Sequence, residues 1–176
     1  MAVFILTLLP EQLVIDIRAR DWCRMRYPNH PQGCPNYGRR SSCPPAAPLI
    51  ADFIDITREM RLAVVDFDLA AHAERMRRGH PAWTERQARC CLYWQNGVRD
   101  LLRGAMANFV AMMDPTGLVA TDCPEAMGVQ VIRTAQKLGV PIHPRPRDIV
   151  YKIGLIGCRG GSHKYKKEVC LCGSSG

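Results

Sequence analysis

The sequence predicts an α/β protein: one domain in which a short sheet is sandwiched with helices, interrupted near its N-terminus by a cysteine-rich loop. Three observations carry this. Short apolar, β-branched runs alternate with segments whose apolar residues recur every three or four positions, the pattern of strands and helices sharing one core. The chain has 176 residues, 47% hydrophobic and 23% charged, which is long enough to bury a sizeable core and too apolar for disorder. Residues 22–48 fit neither period: Cys23, Cys34 and Cys43 fall there among six prolines, Gly33 and Gly38.

Met1 to Leu9 is apolar and reads as a strand or a buried N-terminal element, ended by Pro10-Glu11-Gln12. It lacks a basic leader and a small-residue cleavage site and is far too short to span a membrane. Leu13 to Arg18 alternates as a strand leading into the cysteine loop. Leu49 to Ile56 has helical spacing, and Leu62 to Phe67 is a buried strand. Leu69 to Arg78 is a helix ended by Gly79 and Pro81. Thr84 caps a long helix reaching about Met113, broken by Asp114-Pro115-Thr116-Gly117. A further helix runs from about Pro124 to Leu138 and closes at Gly139. Ile149 to Ile156 is the last strand. The expected division is a domain over 1–157 and a mobile Gly-, Lys- and Ser-rich tail over 158–176.

The formal charge is +8, mostly from arginine. Arg18, Arg20, Arg24, Arg26, Arg39 and Arg40 surround the cysteine segment, and Arg75, Arg77, Arg78, Arg86 and Arg89 form a second group. Lys164, Lys166 and Lys167 form a third. Such a balance favours an anionic partner: an acidic redox protein, a small anionic or nucleotide-like substrate, or nucleic acid. The competing reading is solvated helix faces. Nine cysteines, an odd number, argue against a fully paired secreted framework. A reducing cytoplasm is the expected setting, where clustered thiols bind metal more often than they pair.

A loop without a periodic apolar face needs another source of order, for which thiolate–metal bonds are the leading candidate; unliganded core thiols and a redox pair are the alternatives. The spacings x10 and x8 between Cys23, Cys34 and Cys43 match neither zinc knuckles nor the ferredoxin run, so they leave the metal open. Three soft donors suit zinc or an iron–sulfur cluster and not magnesium or calcium. Three cysteines on a [4Fe–4S] cluster leave one iron open for substrate, and a fourth protein ligand makes the site structural or electron-carrying. Fourth-ligand candidates are Cys123, Cys158, Cys170, Cys172 and His30. Cys90 and Cys91 adjoin on a predicted helix, where at least one belongs to the core. Asp122-Cys123-Pro124-Glu125 stands at a predicted helix start, where the dipole lowers a thiol pKa, making Cys123 and Glu125 the candidate catalytic pair. An ordinary first-turn glutamate is the plainer reading of Glu125. His163 reads as solvent-exposed.

Cys23, the run Gly33-Cys34-Pro35-Asn36-Tyr37-Gly38, then Cys43-Pro44-Pro45 and Pro48 resemble the C…GCPNYG…CPP signature of an uncharacterised family of small predicted metal-binding proteins. Glu125-Ala126-Met127-Gly128-Val129-Gln130-Val131 is similar to that family's MEAxGIDV segment, and Tyr151 to Ile156 to its closing strand. The likeness spans most of residues 13–156 and is specific in the GCPNYG…CPP part. It implies thiolate binding of a metal, an iron–sulfur cluster foremost, without a settled reaction. Cys34 and Cys43 carry over directly. Cys23 stands further upstream than the family's first cysteine, with Arg24 to Gln32 between. Where the family carries a second cysteine group, this chain has Cys123 alone.

The leading expectation is therefore a [4Fe–4S] protein using Cys23, Cys34 and Cys43 in redox or sulfur-related chemistry. The alternative is a zinc-stabilised nucleic-acid-binding or structural module, with Tyr27 and Tyr37 stacking on bases. Aromatic content of 7% and the lack of a recognised binding motif count against it.

Overall fold

A computed structural model describes residues 1–26 and 30–161. Four strands form one antiparallel sheet: β1 (Val3–Leu8), β2 (Met60–Asp68), β3 (Leu118–Thr121) and β4 (Ile149–Cys158), in the order β1-β2-β4-β3. Register runs from Val3↔Val65 to Leu8↔Met60, from Arg61↔Ile156 to Asp68↔Ile149, and from Leu118↔Cys158 to Thr121↔Leu155. Among the described residues five α-helices accompany it: α1 (Ile50–Phe53), α2 (Leu69–Gly79), α3 (Glu85–Ala88), α4 (Gln95–Met113) and α5 (Val131–Lys137). The mixed α/β expectation is met.

β2 reads as a continuous apolar run because it is central and covered on both faces. Leu62 and Val64 join Ile50, Ile54, Val129, Ile153 and Leu155 in one core. Ala63, Val65 and Phe67 point the other way, onto Val98, Leu102 and Met106 of α4. The sheet is thus the middle of three layers. Gly154 lets α4 approach β4 closely, since a Cβ there would strike the Met106 side chain.

Four expectations need correction. Leu13–Arg18 is not a strand: Pro10–Gln12 and Ile17–Arg24 are 3₁₀ helices, and the stretch between them pairs through the bridge Ile15↔Val129. The Asp16 carboxylate accepts the Arg18 N–H and caps the second of these, leaving Ile15 and Ile17 outside. The long helix from Thr84 is split. Thr84 caps α3, but Cys91–Tyr93 is a 3₁₀ turn and Trp94 leaves helical backbone. There the indole stacks on Phe67 at 4.8 Å and donates to the Arg89 carbonyl, so tertiary packing overrides helical spacing. The helix from Pro124 is divided likewise, into a 3₁₀ turn (Pro124–Met127) and α5, by left-handed Gly128 and the bridge at Val129. Cys158, read as the first tail residue, is the buried last residue of β4, its carbonyl accepting the Asp55 N–H. The tail beyond it from residue 162, with His163, the three lysines, Cys170 and Cys172, lies outside the described residues, as does Tyr27. Among the described residues no helix is long and apolar enough to cross a membrane.

Candidate metal centre

The 3₁₀ helix Ile17–Arg24 presents Trp22 to the core and leaves Cys23 half-buried beside it. The cysteine loop then folds back onto this helix. The Cys34 N–H donates to the Cys23 carbonyl at 2.7 Å, joining the first two cysteines through the backbone. Gly33 makes the approach possible: its φ is +91°, and a Cβ there would sit 2.7 Å from the Cys23 oxygen and the Arg24 carbonyl carbon. The loop closes on itself through Tyr37 N–H to the Cys34 carbonyl, Gly38 N–H to the Pro44 carbonyl, and Ala47 N–H to the Cys43 carbonyl. Arg20 ties it down, one guanidinium nitrogen donating to the carbonyls of Pro45 at 2.9 Å and Ala47 at 3.0 Å. Loop order therefore depends on backbone and arginine contacts, not on an apolar face.

The turn Pro124–Met127 packs against the 3₁₀ helix of Cys23. Asp16 N–H donates to the Gly128 carbonyl and Gln130 N–H to the Val14 carbonyl, both at 2.8 Å. This carries Glu125 to the cysteines. Burial pushes the Cys23 thiol up to about 11, with the Glu125 carboxylate and then Cys34 and Cys43 adding to the rise. The three thiols and Glu125 thus share one electrostatic neighbourhood. Among the described residues, no three His, Cys, Asp or Glu side chains are gathered closely enough to hold a single metal ion.

Cys123, two residues before Glu125, also feels its carboxylate. Its thiol is pushed up to about 12, first by burial and then by Glu125 and Asp122. This reverses the expected lowering. The turn that follows Cys123 has four 3₁₀ residues, too few for a helix dipole to outweigh burial and two carboxylates. Sequence reading missed Lys152, whose ammonium stands 3.9 Å from Glu125. It also missed Arg99 and Arg103, which hold Asp122 at 3.4 and 2.8 Å. Lys152 had no local signal, because its meeting with Glu125 is set by sheet register and loop packing.

The other described cysteines lie elsewhere. Cys90 and Cys91 occupy the turn between α3 and α4, and burial raises the Cys91 thiol. Cys158 is six residues along β4 from Lys152, about 20 Å of strand. It lines a separate cavity of about 490 Å³ with Arg58, Phe109 and Met113, so it is poorly placed as a fourth ligand. His30 is at the loop's start, its carbonyl accepting the Gly33 N–H. A shallow cleft of about 250 Å³ opens on the loop's outer side between Arg18, Arg20, Tyr37 and Pro44.

The donor set is soft, and Cys34 and Cys43 both come within electrostatic reach of Cys23: the chemistry of these residues fits a thiolate-bound metal group. No curated protein and no solved structure matches the chain. Residues 10–114, a span holding Cys23, Cys34 and Cys43 but not Cys123 or Glu125, match the family described as predicted metal-binding protein (DUF2284). The chain belongs to this family of predicted metal-binding proteins.

Proposed function

We propose that Cys23, Cys34 and Cys43 hold an iron–sulfur cluster of the [4Fe–4S] type and that the protein works in redox or sulfur-related chemistry. The observation that carries this is the convergence of the three thiols around the Cys34–Cys23 backbone bond. Three soft thiolate donors are the ligand type of iron–sulfur clusters as well as of zinc, and the family resemblance of the GCPNYG…CPP segment favours the cluster. Such a cluster, when bound, supplies electron transfer, and with three protein ligands an iron open to a sulfur or oxygen donor.

The chain's own residues define the surroundings. Glu125 is the acid–base group beside Cys23, steadied by Lys152. The raised Cys123 thiol, pushed up to about 12 by burial and then by Glu125 and Asp122, makes it a poor nucleophile and leaves Glu125 as the first acid–base group to test. Arg18, Arg20 and Tyr37 line the outer cleft, which suits an anionic small molecule or the acidic surface of a redox partner. A reducing cytoplasm would keep the thiols ready for metal.

The test is a cysteine series purified anaerobically, read by absorbance near ~400 nm and by bound iron. Cys23→Ala, Cys34→Ala and Cys43→Ala should each lose the chromophore, whereas Cys90→Ala and Cys158→Ala should keep it. Retention of full iron and colour in Cys34→Ala would overturn the assignment. A colourless protein with about one zinc would replace it with a structural zinc loop.

A further inference from the structure

A second feature lies outside the cysteine site, where the turn joining α2 to α3 meets the 3₁₀ turn Cys91–Tyr93. His80, Trp83 and Tyr93 form a column of rings. His80 and Trp83 are 4.2 Å apart and 13° from parallel, and Trp83 and Tyr93 are 5.0 Å apart at 28°. The Trp83 N–H donates to the His80 carbonyl at 2.9 Å and fixes the turn. None of the three rings belongs to either apolar core. His80 is exposed and Tyr93 is 54% exposed, so the rings at both ends of the column meet solvent.

Positive charge flanks the column on the adjoining elements. Arg75, Arg77 and Arg78 stand on the last turns of α2 and Arg86 on α3, all exposed or partly so. Opposing charge is scarce: between residues 74 and 89, five arginines face Glu74 and Glu85. Glu85 is shared by Arg77 and Arg89. Among the described residues no ion pair engages Arg75, Arg78 or Arg86. Arg89 also donates to the Arg147 carbonyl, which brings exposed Arg147 alongside. An acidic protein surface would neutralise these arginines and leave the ring column unused. A chain of phosphates carrying flat, unpaired bases would use both.

We propose that this ridge binds single-stranded nucleic acid. A base extends the stack on the outer face of Tyr93 or His80, and Arg75, Arg78 and Arg86 hold the neighbouring phosphates. Stacking on aromatic rings is indifferent to base identity, so recognition is of single-strandedness and not of sequence. A duplex keeps its base faces inside the helix and offers only phosphates. The inference is independent of the metal that the cysteines hold.

The test is fluorescence anisotropy of the full chain with a labelled oligouridylate of about 12 nucleotides, within the usual span of single-strand sites. An oligothymidylate, an RNA duplex and heparin serve as comparison arms. Saturable binding to the single strands is expected, with a log–log salt slope of about −2, as three phosphate contacts give on single strands. Tyr93→Ala should weaken binding about tenfold, in line with the loss of one stacked base. The exposed pair Arg78→Glu/Arg86→Glu should weaken it further still and leave the melting temperature unchanged, which keeps the test valid should Tyr93→Ala misfold. Equal RNA and DNA affinity supports stacking plus phosphate contact alone, and an RNA preference adds contact to the 2′-hydroxyl. The proposal is overturned by no saturable binding at ~100 mM salt, by binding that these substitutions leave unchanged, or by duplex or heparin binding as tightly as the single strands.

Discussion

Replacing Gly33 with alanine tests how the cysteine loop is held. At φ +91° an L-residue costs about 1–2 kcal/mol. The new Cβ also meets the Cys23 oxygen and the Arg24 carbonyl carbon at 2.7 Å, and both are backbone atoms that no rotamer change can move. Forcing packed groups apart adds about 1–3 kcal/mol. The sum is about 2–5 kcal/mol, and it falls on the contact that sets Cys34 beside Cys23. Gly38→Ala is the matched control: its φ is +70°, but an alanine Cβ there would meet nothing within 4 Å, so only the backbone cost of about 1–2 kcal/mol applies. In a chain of this length each kcal/mol lowers the melting temperature by about 2–4 °C. Gly33→Ala should therefore melt clearly below Gly38→Ala in a thermal scan, and should retain less metal after anaerobic purification. Equal melting temperatures and equal metal content in the two variants would refute the account of the loop.

Four further outcomes follow from the geometry. In metal-free protein at pH 8, Cys123 should react with iodoacetamide at about a thousandth of the rate of an ordinary thiol or slower, because a thiol pushed up to about 12 holds that much less thiolate. Glu125→Gln should speed alkylation of both Cys23 and Cys123, since the carboxylate raises both, and mass spectrometry of the labelled peptides reads each site. Arg20→Met removes two hydrogen bonds from a charged donor and should cost about 1.5–3 kcal/mol, seen as a lower melting temperature and easier proteolysis of the loop. His72 is buried with Nε2 unpartnered, and burial, then Arg75, lowers its pKa. The unfolded chain takes up that proton near pH 6.5, so stability present above this pH should fall as pH drops below it; His72→Leu should flatten the fall in a pH series of melting curves.

The parts of the fold legible in the sequence are those where one signal dominates. β2 and β4 are apolar over more residues than any other strand because both faces are covered, and α2 ends where Gly79 and Pro81 require. β3 has four residues, too few to show alternation, and nothing in its sequence sets it apart from the helix break before it. The splits at Trp94 and Gly128 answer to partners far along the chain, Phe67 and Ile15, which no local window contains. At the site, cysteine composition among prolines and glycines marks the segment that holds Cys34 and Cys43, whereas Cys23 stands on the 3₁₀ helix Ile17–Arg24, which the proline-rich pattern does not reveal. The approach of Glu125 is not readable in this way, because it depends on the bridge Ile15↔Val129 holding the turn Pro124–Met127 against the first cysteine. The direction of the Cys123 pKa is hidden for the same reason: a sequence shows a helix start but not the burial and carboxylates around it.

The most direct test of the central claim is the iron, acid-labile sulfide and zinc content of the protein purified without oxygen. The account predicts about four irons and four sulfides per chain, with zinc well below one. About one zinc per chain and no sulfide would contradict it, leaving a protein whose cysteine loop is held by a structural ion.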